Sequence, residues 1–481
     1  MHKKPTFTQA LLPLFALIIT TFFSISFWDT GMQIPLIVGI TVACLLAKYL
    51  GFSWSELEEH MVSGVKLIIP VVFILFLIGC LVGAWVVSGV IPTLIYYGLD
   101  LLNPSIFVPT VALITGILTI VLGNSLTALA TIGVAFMAVG HGLGFPGPLV
   151  AGAIISGAVM GDKITPLSDT TVTAPAIVDT DLFSHIKHMM WDTIPAFLIA
   201  LILFWIVGNQ YAGDASDIGR IDSILSSLQQ QFNIHPLLLA LPILTVIFMM
   251  KKLPVIPTLV MLSALGGIAA FIFQGSNLAE VVEVMTSGFS VNTGQELMDS
   301  LLSQGGITSM TGIVIIVVLA TALGGLFDGV GLFDSLVSSM LERANSTGKL
   351  MLTTASSSFL VAAASGALYL AIILPGQALV GNFKERGLDT KNLSRCLEAC
   401  GTVGTFLIPW GVPAVFAASV LGVSAYQFVP FIFFAFLVPI INVIYGFTGI
   451  SIAKKDYSGT IKVKPVDYEN SQKDAVMTNT N

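Results

Sequence analysis

The sequence predicts an all-α polytopic membrane protein whose two halves repeat one another, and three observations lead to this fold class. First, 55% of the 481 residues are hydrophobic and only 10% are charged, whereas about 25% charged residues is usual in soluble proteins. Second, apolar runs of about 20 residues, each long enough to cross a bilayer as a helix, recur from end to end. Third, glycine, alanine and proline of the first half recur in the second half at a constant spacing.

The apolar runs predict the helical segments in order, beginning with an uncleaved first span after Lys3 and Lys4. In the first half the segments are 7–27, 32–50, 67–88, 105–122, 124–140, 147–161 and 192–208. In the second half they are 235–250, 254–274, 309–327, 332–342, 350–365, 367–381, 396–408, 410–423 and 428–450. Several are too short or too rich in glycine to cross alone. Broken helices or re-entrant hairpins are therefore expected at 105–140, 147–175, 350–380 and 396–423.

The repeat is visible as matched small residues and prolines at one offset, 243 residues. The matched pairs are Gly123 and Gly366, Ala128 and Ala371, Gly133 and Gly376, Gly161 and Gly404, and Pro166 and Pro409. Several matches at one offset are harder to attribute to chance than scattered ones. The polar stretch 289–306 is interpreted as an insertion in the second half.

The distribution of Lys and Arg predicts the orientation, because these residues are enriched in cytoplasmic loops. It places both termini in the cytoplasm and turns the second half over relative to the first, which makes the repeat an inverted one. The predicted parts are a first membrane repeat at 1–208, an extracytoplasmic connection at 209–233, a second membrane repeat at 234–453 and a cytoplasmic polar tail at 454–481.

A polar stretch, GDKITPLSDTT at 161–171, interrupts apolar sequence and carries Asp162, Lys163 and Asp169. Each charge at bilayer depth costs about 2.5–3.5 kcal/mol on insertion scales, so three together indicate a function. Inverted-repeat transporters bind their substrates near the midplane, where helices are discontinuous. Pro166 favours such a break and frees a backbone carbonyl oxygen. The residues expected to break the backbone are Gly161, Pro166, Gly366 and Pro409.

The chemistry of these side chains indicates a site for a small hard cation, which prefers several oxygen ligands. A buried Asp can hold either a cation or a proton, and this competition is the minimal element of an antiporter. Lys163 would compensate negative charge in one of two ways. It would pair with Asp162 or Asp169 only while no ion is bound, or it would compensate charge permanently. The expected ion- and proton-binding residues are Asp162, Asp169, Asn124, Ser125, Thr127, Ser168, Thr170 and Thr171.

Structural roles remain open for part of this set. Asn124, Ser125 and Thr127 would also suit hydrogen bonding between packed membrane helices. Asp162 and Lys163 would also suit a structural pair near the membrane interface.

Two further groups of polar residues, Glu398 and the pair His185 and His188, have expected roles outside this set. Glu398 is either an interfacial ion-pair partner of Arg395 or a proton site. His185 and His188 share a helix face and are expected on a solvated interfacial helix.

The run at 161–171 resembles the signature of the NhaC family of Na⁺/H⁺ antiporters. The stretch GNSLT at 123–127 and the glycine-rich part of the second half also fit that family, and the similarity covers nearly the whole chain. The resemblance implies inverted repeats with re-entrant hairpins and an elevator-type movement. Some relatives couple Na⁺ and H⁺ to malate and lactate exchange, which the resemblance leaves open here.

The sequence therefore predicts an inverted-repeat secondary transporter of the inner (cytoplasmic) membrane that exchanges Na⁺ for H⁺ and is not an enzyme. The expected partners are Na⁺, H⁺ and the lipid bilayer, with small organic anions as the alternative. No cofactor, transition metal or nucleic acid is expected, and a homodimer is left open. The chain has no Walker-type nucleotide motif, so ion gradients should supply the energy.

Two other functions also fit features of the sequence. A Na⁺/H⁺-coupled malate/lactate antiporter would use Lys163 and the helix end after Pro166 to bind a carboxylate. A remote alternative is an intramembrane aspartyl protease that uses Asp162 and a second membrane Asp such as Asp328.

Overall fold

The computed structural model describes residues 2–28, 30–66, 68–101, 104–215, 218–251, 253–290, 302–303, 305–342 and 344–457. These residues form helices and connecting turns, with one isolated antiparallel bridge between Leu388 and Lys454. The predicted all-α fold class is confirmed. Most of the predicted polar tail and most of the predicted insertion at 289–306 lie outside the described residues.

The helices follow one another with short connections. In the first half they are α1 (Phe7–Ser26), α2 (Gln33–Leu50), α3 (Trp54–Lys66), α4 (Ile69–Val87), α5 (Val90–Leu101), α6 (Pro104–Leu122), α7 (Ser125–Ala128), a π-helical turn (Leu129–Gly133), α8 (Val134–Gly142), α9 (Gly147–Ile164), α10 (Asp169–Ile177), α11 (Leu182–Ala215) and α12 (Ile218–Gln231).

The second half continues in the same way. It contains a 3₁₀ turn (Pro236–Leu239), α13 (Ala240–Met250), α14 (Val255–Ala269), a π turn (Ala270–Gln274), α15 (Leu278–Ser287), a 3₁₀ turn (Ile307–Met310), α16 (Thr311–Gly329), α17 (Leu332–Leu341), α18 (Thr347–Ser365), α19 (Leu368–Glu385), α20 (Thr390–Leu397), a π turn (Glu398–Thr402), α21 (Val403–Thr405), α22 (Val412–Leu421), α23 (Ala425–Phe428), a 3₁₀ turn (Val429–Phe431) and α24 (Phe433–Thr448).

The chain is a multi-pass membrane protein. Among the described residues, eight helical stretches are long and apolar enough to cross a bilayer. They fall on α1, α2, α4, α6, α9, α11, α14 and α16. The segment after Val412 bends by 94° between α22 and α23, as in a broken span or a re-entrant loop. Most predicted segments agree with the observed helices to within a few residues.

The start of α11 differs from the prediction in an informative way. The helix begins at Leu182 rather than at residue 192, and one face of its first turns is buried against α20. His185 Nδ1 lies 2.8 Å from Ser394 Oγ, and His188 Nε2 lies 3.1 Å from Asn392 Oδ1. The prediction of a solvated interfacial helix is wrong, because polar partners on α20 allow both imidazoles to be buried.

Positions matched by the repeat have similar local geometry. Gly123 follows α6 with φ +84°, and Gly366 follows α18 with φ +64°, a conformation that favours glycine. Pro166 lies between α9 and α10, and Pro409 lies between α21 and α22. The backbone is therefore interrupted at matched places in the two halves, while the inversion of the second half remains a proposal.

Gly161 has a different role from the predicted one. It lies inside α9, which continues to Ile164, so the backbone does not break there. A Cβ atom on Gly161 would lie 2.4 Å from the Gly116 carbonyl oxygen of α6, and one on Gly157 would lie 2.1 Å from the Ala112 carbonyl oxygen. Both glycines let α6 and α9 approach closely, as small residues do in membrane helix pairs.

This close approach predicts that Gly157→Ala destabilises the protein. The added methyl group would force α6 and α9 apart, and overpacking typically costs about 1–3 kcal/mol. Thermal unfolding in detergent should show a lower melting temperature. Gly381→Ala in α19 is a matched control, because a Cβ atom there meets nothing within 4 Å. Equal melting temperatures for the two variants would contradict the packing argument.

Candidate ion-binding site

The predicted polar stretch forms a break between two helices. α9 ends at Ile164, and α10 begins at Asp169 with Ser168 as its N-cap. Because Pro166 has no N–H, the Asp162 carbonyl oxygen lacks its helical donor. The Thr171 hydroxyl donates to that oxygen at 3.0 Å. The carbonyl expected as a free ligand is thus hydrogen-bonded in this structure, and the bond ties α10 back to α9.

Asp162 is buried beside the second predicted polar group. Its side chain is 5% exposed, and Oδ2 accepts a hydrogen bond from Ser125 Oγ at 2.5 Å. Oδ1 is buried and accepts no hydrogen bond from the described residues. Ser125 opens α7, just after the interruption at Gly123. Both predicted stretches therefore meet at one carboxylate, whose unpartnered oxygen is costly unless a cation or a proton neutralises it.

Asp169 lies in a more open environment. It is exposed, and its carboxylate accepts a hydrogen bond from the Tyr369 hydroxyl of α19. It lines a cavity of about 380 Å³ together with Asn124 and Thr127. Asn124 also caps α7 by accepting a hydrogen bond from the Thr127 backbone N–H at 3.1 Å. The two aspartates thus differ in position, one buried and one at the cavity wall.

The rest of the cavity wall is apolar. Its other residues are Val71, Ile74, Val121, Leu122, Gly123, Leu126, Ala130, Leu167, Leu253, Val255, Leu259 and Phe416. Within the described part of the chain, Asp169 alone gives this wall a charge, and the wall contains no Lys or Arg. Such a wall favours cations over anions.

Lys163 has a partner that the sequence analysis did not consider. Its Nζ lies 2.9 Å from Asp192 Oδ1 of α11, and both side chains are fully buried. Of the two roles expected for Lys163, permanent charge compensation agrees with this pair, whereas no ion pair with Asp162 or Asp169 is formed among the described residues. Consecutive residues of a helix do not face the same neighbour, so Lys163 points toward α11 while Asp162 points toward Ser125.

Asp192 belongs to a larger buried group. The Asn442 side-chain amide of α24 donates to Asp192, and Asn442 Oδ1 accepts from Arg395 Nε at 3.0 Å. We call Lys163, Asp192, Asn442 and Arg395 the Asp192 network. Sequence reasoning missed Asp192 and Asn442 because each occurs singly. An isolated ionisable residue beside an apolar run was the signal that could have found Asp192.

Glu398 is the remaining buried acid near this region. It begins the π-helical turn after α20, is fully buried, and accepts a hydrogen bond from Thr170 Oγ1 at 3.1 Å. Among the described residues it forms no ion pair with Arg395, whose guanidinium bonds to Asn442 and Ser451. The interfacial ion-pair alternative is therefore wrong.

The geometry also bears on the protease alternative. Asp162 accepts its hydrogen bond from Ser125 of α7, whereas Asp328 lies at the end of α16, where the adjacent Gly329 lies against His60 of α3. Asp162 forms no hydrogen bond with Asp328 among the described residues.

The relationship to known proteins agrees with this geometry. The model of the Na⁺/H⁺ antiporter family matches residues 2–174 and 157–450. The chain belongs to this family. The resemblance stated from the run at 161–171 is thereby confirmed, and the family consists of transporters rather than enzymes.

Three relatives illustrate the range within the Na⁺/H⁺ antiporter family. The Na⁺/H⁺ antiporter NhaC of Alkalihalophilus pseudofirmus is 40% identical over 95% of this chain and 98% of its own. The Na⁺/H⁺ antiporter NhaC of Bacillus subtilis is 37% identical over 86% of this chain and 92% of its own. The malate-2H⁺/Na⁺-lactate antiporter of Bacillus subtilis is 36% identical over 88% of this chain and 90% of its own.

Proposed function

We propose that this protein is a secondary transporter that exchanges Na⁺ for H⁺ across the cytoplasmic membrane. The observation that carries the proposal is the buried Asp162 carboxylate, which has a hydroxyl donor on one oxygen and, within the described part of the chain, no hydrogen-bond partner on the other. Two relatives named as Na⁺/H⁺ antiporters, at 40% and 37% identity, support it.

The proposed exchange follows from competition for one carboxylate. Na⁺ bound at Asp162 would replace the missing partner of Oδ1, and a proton at the same carboxylate would remove its charge. Because the group holds one ion or the other, release of the first is coupled to binding of the second. Asp169 would attract Na⁺ at the cavity wall. The neutral oxygens come from Asn124, Ser125, Thr127, Ser168, Thr170 and Thr171.

In the proposed exchange, the Asp192 network keeps Lys163 away from Asp162. Lys163 compensates Asp192 permanently, so it does not neutralise Asp162. Asp162 therefore stays free to attract an external cation. In this scheme the protein catalyses no chemical reaction and needs no cofactor.

The proposed architecture keeps the two predicted membrane repeats, 1–208 and 234–453, in opposite orientations with both termini in the cytoplasm. The similar interruptions at Gly123 and Gly366 and at Pro166 and Pro409 support the repeat.

Malate/lactate exchange is the second candidate, because the 36% identical relative carries that name. A carboxylate substrate needs a cationic side chain or a helix N-terminus in the site, and the helix that follows Pro166 begins with the acidic residue Asp169. Lys163 is fully buried against Asp192, and the described cavity wall carries a negative charge. This arrangement favours Na⁺/H⁺ exchange without an organic anion.

The deciding experiment uses the full chain in proteoliposomes with a pH-sensitive dye inside. An inward Na⁺ gradient should drive proton efflux without malate or lactate, whereas a choline gradient should not. Adding malate on one side and lactate on the other should leave the rate unchanged. Proton flux that requires both organic anions would contradict the proposal and favour the second candidate.

A further inference from the structure

We propose that Tyr369, in the second half of the chain, is a positioning residue that orients the Asp169 carboxylate toward Na⁺. It acts through the hydrogen bond from its hydroxyl group to Asp169. The apparent affinity of the transporter for Na⁺ should therefore depend on this hydroxyl. The inference rests on the proposed Na⁺/H⁺ exchange and adds a residue to it.

The Asp169 carboxylate has a hydrogen-bond donor on each of its two oxygens. Oδ2 accepts the Tyr369 hydroxyl, and Oδ1 accepts the Thr170 backbone N–H at 3.0 Å. An exposed side chain at a cavity wall would otherwise rotate freely, and two donors on two oxygens fix the plane of the carboxylate. Each oxygen keeps a further lone pair, so Asp169 can accept both hydrogen bonds and still contact Na⁺.

The break in the second half of the chain holds Tyr369 in place. Gly366, with φ +64°, separates α18 from α19. Its carbonyl oxygen accepts the Val412 N–H at 2.8 Å, which ties this break to the start of α22. Tyr369 is in the first turn of α19, and α19 packs against α10, the helix that Asp169 begins. The hydroxyl donor is therefore presented by an anchored helix start.

The sequence repeat supports the same role independently. Tyr369 follows Gly366 by three residues, as Leu126 follows Gly123, at the common offset of 243. Leu126 lines the cavity whose wall includes Asp169. Matched positions of the two halves thus lie at one site. They differ in chemistry, because the first half contributes an apolar side chain and the second half a hydroxyl donor.

Loss of the hydroxyl should weaken Na⁺ binding without stopping the exchange cycle. The carboxylate of Asp169 would then have to be ordered when Na⁺ arrives, and ordering a side chain reduces affinity. The net effect of one hydrogen bond corresponds to roughly twofold to tenfold in affinity. Asp162 keeps its own partner, Ser125, so the step that exchanges Na⁺ for a proton should be unaffected.

The Na⁺ dependence of transport tests this inference. Tyr369→Phe in proteoliposomes with a pH dye inside should need a higher Na⁺ concentration for half-maximal proton flux, by roughly twofold to tenfold. The maximal rate should not change. Tyr426→Phe on α23 is the matched control, because Tyr426 is 39% exposed and Tyr369 is 42% exposed. An unchanged or lower half-maximal Na⁺ concentration for Tyr369→Phe would overturn the inference.

A double variant separates positioning of Asp169 from a general structural effect. When Asp169 is already replaced by Asn, the hydroxyl has no carboxylate left to orient. Adding Tyr369→Phe to Asp169→Asn should therefore raise the half-maximal Na⁺ concentration no further. A full additional increase in the double variant would show that Tyr369 acts independently of Asp169, and it would overturn the inference.

Tyr369→Met decides the question if Tyr369→Phe does not fold. Methionine also lacks the hydroxyl, so the half-maximal Na⁺ concentration should rise in the same way, and no rise would overturn the inference. A failure of the proposed exchange itself is distinguishable. In that case the unsubstituted protein would show no Na⁺-driven proton flux, whereas normal flux with no difference between the variants would contradict only the role of Tyr369.

Discussion

Asp162→Asn is expected to abolish Na⁺-driven proton movement in proteoliposomes. The amide cannot release a proton at neutral pH and offers no negative charge to Na⁺. Contacts to a charged group are worth about 1.5–3 kcal/mol, so Na⁺ affinity alone should fall by roughly 10- to 100-fold. Because the amide cannot bind and release a proton, any Na⁺ that still binds should no longer be exchanged for H⁺. Dye-reported proton flux at several Na⁺ concentrations measures both effects.

Asp334→Asn serves as the matched control for this variant, because Asp334 is an exposed acid at the start of α17. It should exchange ions at the rate of the unsubstituted protein. Undiminished exchange by Asp162→Asn would contradict the assignment of the site.

Asp169→Asn should have a smaller effect than Asp162→Asn. Asp169 is exposed at the cavity wall and bonds to Tyr369. Its removal should raise the Na⁺ concentration for half-maximal flux while leaving measurable exchange. If Asp169→Asn abolishes exchange and Asp162→Asn does not, the ligand roles of the two aspartates are reversed.

Lys163→Met is expected to produce the largest loss of stability, about 3–5 kcal/mol in the free energy of unfolding. The substitution leaves Asp192 as a fully buried charge without its cation, and removal of one partner of a buried ion pair costs this much. Denaturant titration of the purified protein in detergent measures the change. Lys349→Met, at an exposed position of α18, should change the free energy of unfolding little.

The double variant Lys163→Met with Asp192→Asn separates the missing charge partner from a general packing defect. Removal of both charges should recover most of the lost stability, because no uncompensated charge remains. A double variant as unstable as Lys163→Met alone would show that the side-chain packing of Lys163, and not its charge, stabilises the fold.

These predictions share one physical cause, the separation of charges in the buried region. Lys163 and Asp192 form a fully buried pair that α9 and α11 contribute. Asp162, one residue before Lys163, points to Ser125 and has no cation partner among the described residues. In the proposed exchange, the Lys163–Asp192 pair stabilises the structure and the Asp162 carboxylate responds to ions.

The sequence by itself determined the membrane class, most helix positions and the location of the break. Hydropathy alone determines which segments can leave water, and Pro166 favours a break because it has no backbone N–H to donate. Proline alone does not end a helix here, since α11 continues through Pro195. Gly123 and Gly366 mark helix ends because glycine adopts positive φ without strain. The run at 161–171 was also specific enough to indicate the family. All of these are local properties that neighbouring residues decide.

Only the tertiary structure decided which polar groups meet. The contacts Lys163–Asp192, Asp162–Ser125 and Thr170–Glu398 join residues 29, 37 and 228 positions apart in the chain. A single sequence does not contain these distances. Whether a buried acid is neutralised depends on the direction in which each helix presents it. The sequence located the charges, and helix packing decided that Lys163 pairs with Asp192 whereas Asp162 contacts Ser125.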